Sequence, residues 1–426
     1  MTSRYDVVVV GAGITGCVTA AELAARGLEV LVVDKDDVAY EASGRNMGAI
    51  GILGKYASDI AGASVDKWDR AVEELSLPFE YQKMGRLCPA HSPEDMLILE
   101  EMRETAKENG IKIEMLSAAD VRERFPELSE DIVGAAYSAE DALVDSVAAT
   151  KAYAALARER GVRFRTGETV SRVRTHRGAV AGVELLSGEV ILAGKVLLAA
   201  GVWTTRLLDR LRIHLPMQIV CIYHGETQPI ERSFDYFLRG PDYGARQMSD
   251  GVIRVTGGYR TLGAGHYLGF HDFRDLLIWV PRLIDRRKEV QFRFDPRIVK
   301  SEILASLGAA PAPSGFDPLV PQKFPRRKLA ALQGVLPGVG HARVVRTIAG
   351  LVDMTADALP VLGPIDRLDG LYIAAGFNGQ GFGLGPVVGE LLAQSMSGEP
   401  TSLPLHPYRW SRFQNRKQIP VPHRLV

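Results

Sequence analysis

A glycine motif near the N-terminus, Gly11-Ala-Gly-Ile-Thr-Gly16, most strongly limits what this chain can fold into. The β-branched run Val7–Val10 predicts a strand buried on both faces, and Cys17–Arg26 predicts a helix with small apolar side chains. A second predicted strand, Glu29–Val33, ends at Asp34, where a carboxylate would meet the hydroxyls of a ribose. Strand, glycine turn, helix, strand and acid in this order predict a dinucleotide-binding βαβ unit with the phosphates over the helix N-terminus.

Composition limits the size and class of the protein. The 426 residues exceed one ordinary hydrophobic core and predict two domains. Because 51 basic and 51 acidic residues cancel, no broad positive field predicts binding to nucleic acid or to an anionic membrane. No segment reaches the roughly 18 consecutive apolar residues of a membrane span, so we expect no transmembrane segment. The apolar N-terminus is interpreted as the first strand and helix, not as a signal peptide.

The three cysteines, Cys17, Cys88 and Cys221, are few and widely spaced. They form neither a metal-ligand pattern nor a disulfide framework, so we expect no metal site. Reduced, buried thiols are typical of a cytoplasmic protein, which is the location that we predict.

Two further glycine-containing loops bear on the choice between NAD and FAD. Tyr40–Gly48 follows the second strand and would bond phosphate or ribityl oxygens along a flavin, with a plain surface loop as the alternative. Gly376–Pro386 precedes a helix predicted at Val387–Ser397, and Pro386 suits its first turn. A second helix N-terminus suits the negative charge that a reduced flavin carries near N1 and C2=O. NAD enzymes do not need this element, so the sequence predicts FAD, with a structural glycine hinge as the alternative.

Nucleotide-binding patterns lie at the beginning, in the middle and at the end of the chain, which indicates interleaved domains. We predict an α/β fold with a discontinuous Rossmann-like FAD-binding domain and a second α+β substrate domain built on an antiparallel sheet. The predicted boundaries are 1–80, 145–215 and 340–414 for the first domain, 81–144 and 216–339 for the second with a helical insertion at about 262–327, and 415–426 for a tail. Further helices are predicted at Asp59–Leu77, Pro93–Asn109, Val147–Arg160, Phe273–Lys288 and Pro296–Leu307. Further strands are predicted at Val162–Thr166, Val170–Val173, Val180–Leu185, Val196–Ala199, Gln218–Tyr223, Val252–Thr256 and Leu371–Ala375.

Five stretches of the sequence resemble one family of flavoproteins. They are Gly11–Gly16, Ser43–Asn46, Ala199–Trp203, Gly350–Gly363 and Gly376–Gly389. The chain resembles the glycine oxidase/D-amino-acid oxidase (DAO) family of FAD-dependent enzymes, nearest the branch of the sarcosine oxidase β-subunit and hydroxyproline dehydrogenase. The resemblance implies an FAD that lies extended across the first domain, with its ring at the boundary with the substrate domain.

The resemblance also implies which residues bind the cofactor. Asn378 to Phe382 are expected at the isoalloxazine ring, and Val170 is expected at the adenine. The full set of predicted FAD-binding residues is Gly11, Gly13, Ile14, Thr15, Gly16, Asp34, Lys35, Ser43, Gly44, Arg45, Asn46, Met47, Gly48, Val170, Ala200, Gly201, Trp203, Gly376, Asn378, Gly379, Gln380, Gly381 and Phe382.

Three positions depart from the family pattern. Val352 stands where glycine and D-amino-acid oxidases carry an arginine that binds the substrate carboxylate. Gly350 stands where monomeric sarcosine oxidases carry the cysteine that attaches the flavin, and Gly383 stands where they carry a carboxylate-binding lysine. We therefore expect non-covalent FAD, and either a different arginine binds the carboxylate or the substrate has none. The candidate arginines are Arg45, Arg246, Arg260 and Arg346.

The reaction implied by the resemblance is oxidation of the C–N bond of a small amine or amino acid, of the secondary-amine or D-amino-acid type. A hydride would pass from the carbon next to a neutral amine to flavin N5, giving an imine. The predicted catalytic residues are Tyr243, Arg246, Gln247, Tyr259 and Gln380, with Tyr223, His224 and His266 as further candidates.

Several alternatives stay open at this point. A flavoenzyme of the same fold could oxidise a C–OH bond or a ring, and an electron-relay flavoprotein subunit could work only inside a larger complex. An NAD-only dehydrogenase is the remaining alternative. The electron acceptor is expected to be oxygen, a quinone or a partner flavoprotein, and both homo- and hetero-oligomers are compatible with the sequence.

Overall fold

The computed structural model describes residues 4–51, 58–73, 76, 78–108, 112–260, 264–267, 291–292, 295–306, 312–319 and 321–414. The described helices are α1 (Ile14–Ala25), α2 (Ser58–Glu73), α3 (Pro93–Glu108), α4 (Ala118–Arg124), α5 (Ser146–Glu159), α6 (Thr204–Asp209), α7 (Pro296–Ser306), α8 (Lys323–Val335) and α9 (Gly381–Ser397). The described strands are β1 (Arg4–Val10), β2 (Val30–Val33), β3 (Ala49–Ile50), β4 (Tyr81–Lys83), β5 (Arg86–Ala90), β6 (Glu114–Ser117), β7 (Gly134–Ser138), β8 (Ala142–Val144), β9 (Arg163–Arg165), β10 (Val170–His176), β11 (Ala179–Leu185), β12 (Val190–Leu198), β13 (Met217–Thr227), β14 (Phe237–Arg239), β15 (Gly244–Gln247), β16 (Ile253–Thr256), β17 (Ala264–Tyr267), β18 (Gln291–Phe292), β19 (Val344–Thr355), β20 (Val361–Pro364) and β21 (Leu371–Ala375).

The first sheet contains the predicted βαβ unit. Strand β1 lies between β2 and β12 and pairs with both in parallel, while β9 extends the sheet beyond β2. Strand β21 pairs in parallel with β12, and β20 runs antiparallel beside β21. The side chains of Val7–Val10 and Val30–Val33 are buried, as expected for β-branched strands in a sheet that is covered on both faces. The predicted α/β fold is thus confirmed.

Ten described strands form a second, mostly antiparallel sheet in the order β18-β17-β13-β16-β15-β14-β5-β7-β6, with β19 paired to β13. The pairs β14–β5 and β17–β18 run in parallel. The register of β13 with β19 runs from Met217 opposite Thr355 to Thr227 opposite Val344. Strand β19 belongs to this sheet, and the next strand, β20, belongs to the first sheet. The domain boundaries themselves stay a prediction.

The predicted helical insertion at 262–327 needs correction. Two of its segments, β17 and β18, are strands that extend the second sheet beyond β13. The predicted helix Pro296–Leu307 corresponds to α7, whereas α8 was not predicted. The predicted helix Phe273–Lys288 and the tail at 415–426 lie outside the described residues.

Helices α1 and α9 pack closely against each other because glycines face the contact. A Cβ atom on Gly385 would lie 2.7 Å from Ile14, and one on Gly389 would lie 2.5 Å from Val18. The helix predicted from Val387 begins six residues earlier, so Pro386 lies in its second turn and not its first. The glycines at the start of α9 have a low helix propensity, which tertiary contacts override here. One such contact is the hydrogen bond that Trp68 on α2 donates from Nε1 to the Gly383 carbonyl over 2.8 Å. The N-termini of α1 and α9 are thereby held side by side.

Candidate active site

The glycine turn between β1 and α1 is shaped by two different constraints. Gly11 has a φ of +118°, and a Cβ there would lie 2.3 Å from the Ala199 carbonyl oxygen. A Cβ on Gly16 would lie 2.0 Å from the Gly11 carbonyl oxygen. Gly13 has an ordinary φ of −75° and faces open space, where a Cβ would meet only the Ser43 hydroxyl at 3.0 Å. The fold therefore requires glycine at positions 11 and 16. At position 13 the fold would accept a side chain, but that side chain would fill the space above the turn.

Asp34 is held at the end of β2 by the same turn. Its carboxylate accepts a hydrogen bond from the Ala12 N–H over 2.6 Å and another from the Asp36 N–H over 2.8 Å. Burial raises the pKa of Asp34 to about 6, although the two backbone donors oppose this shift. The carboxylate is thus fixed at the end of β2 in the wall of a cavity, and its role in ribose binding stays a prediction.

Two cavities share a wall and form one elongated cleft. The first encloses about 1030 Å³, partly open to solvent, and extends from the glycine turn to Asp34, Val170 and Trp203. The second encloses about 1690 Å³, also partly open, and reaches the N-terminus of α9. The shared wall consists of Gly13, Ala42, Ser43, Ala199, Gly201, Leu351 and Asp353. The cleft thus connects the beginnings of α1 and α9, as an extended dinucleotide would require.

Most predicted cofactor residues line this cleft. Those on the first cavity, in addition to the shared wall, are Gly11, Asp34, Lys35, Val170, Ala200 and Trp203. Those on the second are Ile14, Thr15, Gly16, Arg45, Asn46, Met47, Gly48, Asn378, Gly379, Gln380, Gly381 and Phe382. Gly44 and Gly376 line neither cavity, because a Cβ on Gly44 would meet the Ala39 carbonyl at 1.9 Å and one on Gly376 would meet Thr355 at 2.3 Å. These two glycines serve backbone packing.

The loop before α9 is pinned by Asp353, a residue that the sequence analysis did not select. The Asp353 carboxylate accepts from the Gly376 N–H over 2.6 Å and from the Phe377 N–H over 3.2 Å. Burial raises the pKa of Asp353 to about 6. The Asn378 side chain accepts from the Thr355 N–H, while Gln380, the N-cap residue of α9, makes no capping bond. The first N–H groups of α9 are therefore not covered by a side-chain cap.

The far wall of the second cavity comes from the antiparallel sheet. Ile222 and His224 alternate along β13, and Phe237 and Arg239 alternate along β14, so each pair faces the cavity. Arg86 on β5 lies beside them, stacks over the Phe237 ring at 5.0 Å and pairs with Asp141 over 2.7 Å from Nε to Oδ2. Of these residues only His224 was a candidate from the sequence, because no motif marks an arginine on an isolated strand.

His224 is a neutral histidine at physiological pH. Burial, together with the positive charges of Arg254, Arg246 and Arg346, lowers its pKa to about 3. Its Nε2 atom has no hydrogen-bond partner among the described residues. An unprotonated imidazole on this wall can exchange a hydrogen bond with a ligand without adding a positive charge.

The low pKa of His224 predicts a pH-dependent effect on stability. The folded-state pKa of His224 is about 3, below the ordinary value of 6.5. As the pH falls below 6.5, His224 is therefore protonated in the unfolded chain but not in the folded one. The free energy of unfolding decreases over this range, down to about pH 3. The His224→Gln variant lacks this loss. From pH 7 to pH 5 we therefore expect its free energy of unfolding to decrease by about 2 kcal/mol less than that of the parent protein. Urea unfolding of both proteins at the two pH values measures this difference. Asp34 and Asp353 titrate in both proteins, so their contribution cancels in the comparison. An equal change of the unfolding free energy in both proteins would contradict the prediction.

Four of the five predicted catalytic residues do not line the second cavity, and their catalytic role stays a prediction. Tyr243 and Gln247 lie on the opposite face of the sheet from Arg246; Tyr243 packs in the core there, and Gln247 bonds the backbone of Ser233 and Glu231. The Tyr259 hydroxyl donates to the Pro89 carbonyl over 2.9 Å. Arg246 is 2% exposed and lies behind Gly48, where it donates to the Val144 carbonyl. Gln380 alone of the five lines the cavity.

The remaining candidates have other partners or positions. The Arg45 guanidinium binds Asp317 over 2.7 Å and the Ala349 carbonyl over 3.2 Å. Arg260 pairs with Asp95, and Arg346 pairs with Glu226. Tyr223 points into the core beneath β13, on the side opposite His224. The side chain of His266 lies outside the described residues.

The comparisons with known proteins agree with this geometry. Residues 6–395 match the family model DAO, described as FAD dependent oxidoreductase. The chain belongs to this family. The family is FAD dependent, and the fit is visible here in a turn that leaves space above Gly13, a carboxylate fixed at the end of β2 and a second uncapped helix beside a cavity. The family prediction is thus confirmed, while the nearest branch stays a prediction.

Individual relatives are distant in sequence but similar in length or fold. Monomeric sarcosine oxidase of Bacillus sp. (strain B-0618) is 23% identical, over 92% of this chain and 92% of that protein. The 4-methylaminobutanoate oxidase (formaldehyde-forming) of Paenarthrobacter nicotinovorans is 26% identical over 98% of this chain, which spans only 47% of that protein's length. The structure of the L-amino acid deaminase from Proteus vulgaris superposes with a TM-score of 0.86 at 21% identity, covering 97% of this chain and 98% of that one. The chain is thus an FAD-dependent oxidoreductase, and the three relatives named here carry the names of enzymes that act on amines or amino acids.

Two further features bear on the sequence predictions. No helix among the described residues has the length and apolar character needed to cross a membrane. In the same part of the chain, no group of three or more histidine, cysteine, aspartate or glutamate side chains is arranged to hold a metal ion. All three cysteines are free and buried, and burial raises the pKa of Cys88 to about 11, so this thiol is unreactive at neutral pH.

Proposed function

We propose that this chain, with FAD bound non-covalently, oxidises the C–N bond of a small amine or amino acid of the secondary-amine or D-amino-acid type. The bound flavin supplies a hydride acceptor at N5, and loss of hydride from the carbon next to the nitrogen turns the amine into an imine. The residues proposed to hold the cofactor are the predicted ones that line the two cavities. The absence of a cysteine at position 350 supports non-covalent attachment.

The observation that carries this proposal is the two-sided second cavity. One side is the uncapped N-terminus of α9, whose partial positive charge suits a reduced flavin. The other side is a wall of Ile222, Phe237 and the neutral His224. Apolar side chains exclude water from the reacting carbon, and His224 accepts or donates a hydrogen bond at the amine without protonating it. The names of the sarcosine and 4-methylaminobutanoate oxidases, both of which denote N-methylated substrates, support the same substrate class.

Anaerobic bleaching of the bound flavin tests this function. The purified yellow protein is mixed with D-amino acids, N-methyl amino acids, cyclic imino acids, carboxylate-free amines and 2-hydroxy acids, and the visible absorption is followed. We expect at least one nitrogen compound to bleach the flavin and release the corresponding carbonyl product. Bleaching by 2-hydroxy acids alone would overturn the amine proposal in favour of C–OH oxidation. Adding air, a quinone or an artificial acceptor to the bleached protein then identifies the electron acceptor.

A further inference from the structure

Arg239 has a different environment from every arginine that the sequence suggested as a carboxylate ligand. Its guanidinium lies on the wall of the second cavity, and it makes no hydrogen bond or ion pair with the residues that the structure describes. Arg45, Arg260 and Arg346 each bind a carboxylate of the protein, and Arg246 lies behind Gly48. Arg239 is thus left available to a ligand in the cavity.

The charge of Arg239 is not compensated locally. Burial and the neighbouring Arg86 lower its pKa, but only to about 10, so it stays protonated at neutral pH. Arg86 is already paired with Asp141, and the lining carboxylate of Asp353 is occupied by two backbone N–H groups. Arg239 is half-buried, and a partly buried cation without a partner is costly, so an anion bound beside it lowers that cost.

The neighbours of Arg239 leave one uncompensated cationic group on this wall of the cavity. Its strand is pinned to β5 by the pairs Phe237–Arg86 and Leu238–Leu87. Arg86 is held by its ion pair through Nε and by the Phe237 ring, so its charge is already compensated by Asp141. One uncompensated guanidinium therefore faces the cavity from this wall, together with apolar Ile222 and Phe237.

We infer that Arg239 binds the carboxylate of the substrate and replaces the arginine and lysine that are absent at Val352 and Gly383. A planar guanidinium holds a carboxylate with two parallel hydrogen bonds, which fixes orientation as well as charge. The substrate class is then an amino acid with one free carboxylate, and a carboxylate-free amine is a poor substrate. This inference rests on the proposed function and names its substrate class.

Binding of a simple carboxylate to the oxidised holoenzyme tests the inference. Benzoate and the neutral benzamide are titrated, and the perturbation of the visible flavin spectrum reports occupancy. In the parent protein we expect benzoate to bind at least about 100-fold more tightly than benzamide. In Arg239→Met that preference is expected to fall to within about threefold, and Arg239→Lys is expected to restore part of it. Arg232→Met, at an exposed arginine that pairs with Asp235 outside the cavity, is the matched control and is expected to keep the full preference.

Each outcome has a defined meaning. Equal affinity for benzoate and benzamide in the parent protein overturns the inference without any variant, so a failure of Arg239→Met to fold leaves the test intact. An unchanged preference in flavin-loaded Arg239→Met overturns it as well. If carboxylate-free amines bleach the flavin as fast as amino acids, amine oxidation stands and the role of Arg239 fails. If no nitrogen compound bleaches it while benzoate binding depends on Arg239, the anion site stands and the proposed function fails.

Discussion

Replacing Gly13 by valine is expected to give a folded protein without flavin. The backbone at Gly13 has φ −75° and ψ 175°, which any residue adopts, so the substitution introduces no backbone strain. Its Cβ would lie 3.0 Å from the Ser43 hydroxyl, and its methyl groups would enter the space above the turn. Since a dinucleotide pyrophosphate approaches the backbone at this glycine, we expect flavin occupancy to fall more than about tenfold.

The neighbouring glycines provide the contrast that makes this result specific. Gly11→Ala and Gly16→Ala would place a Cβ within 2.3 Å and 2.0 Å of carbonyl oxygens, so these variants should lose the fold as well as the flavin. Gly334→Val on α8 is the matched control, since nothing lies within 4 Å of its Cβ position. The ratio of flavin to protein absorbance and the far-UV circular dichroism are measured together. Stoichiometric flavin in purified Gly13→Val would refute the proposed cofactor position.

Replacing Asp141 by asparagine is expected to cause a large loss of stability in a protein that still folds. Asp141 and Arg86 are 2% and 6% exposed, and their Nε–Oδ2 distance is 2.7 Å. The Ser138 hydroxyl also donates to Asp141, and Gly51 leaves room for the pair, because a Cβ there would lie 2.1 Å from Oδ2. Removing one member of a buried ion pair leaves the other charge unpaired, which costs about 3–5 kcal/mol.

Urea unfolding of the apoprotein measures this loss without a contribution from cofactor binding. The control is Asp235→Asn, which removes an exposed pair with Arg232 and should change the unfolding free energy by no more than about 0.5 kcal/mol. The double variant Arg86→Met/Asp141→Leu should recover most of the stability, since two apolar side chains leave no buried charge. A loss below about 1 kcal/mol in Asp141→Asn would mean that solvent reaches the pair.

The arrangement of arginines explains why catalytic residues were harder to predict than cofactor residues. Arg239 is opposite Gly244 in the register of β14 with β15, so Arg239, Gly244 and Arg246 share one face of the sheet. Arg246 lies one pleat further along, where Val144 and Gly48 cover it. These covering residues are about 100 and 200 positions away in the sequence. The local sequence around each arginine therefore does not indicate which of the two faces a ligand and which is covered.

Local patterns in the sequence were enough to identify the nucleotide-binding unit, the second glycine-rich helix start and, from these, the FAD-dependent family. Both motifs are local: glycines at fixed spacing between a buried strand and a helix constrain the backbone wherever the rest of the chain goes. Three features became visible only in the folded chain: α9 begins at Gly381, Asp353 holds the loop before it, and Arg239 rather than Arg246 faces the cavity. Those outcomes depend on contacts between segments distant in sequence, whose packing overrides helix propensity and selects which polar side chains reach a ligand.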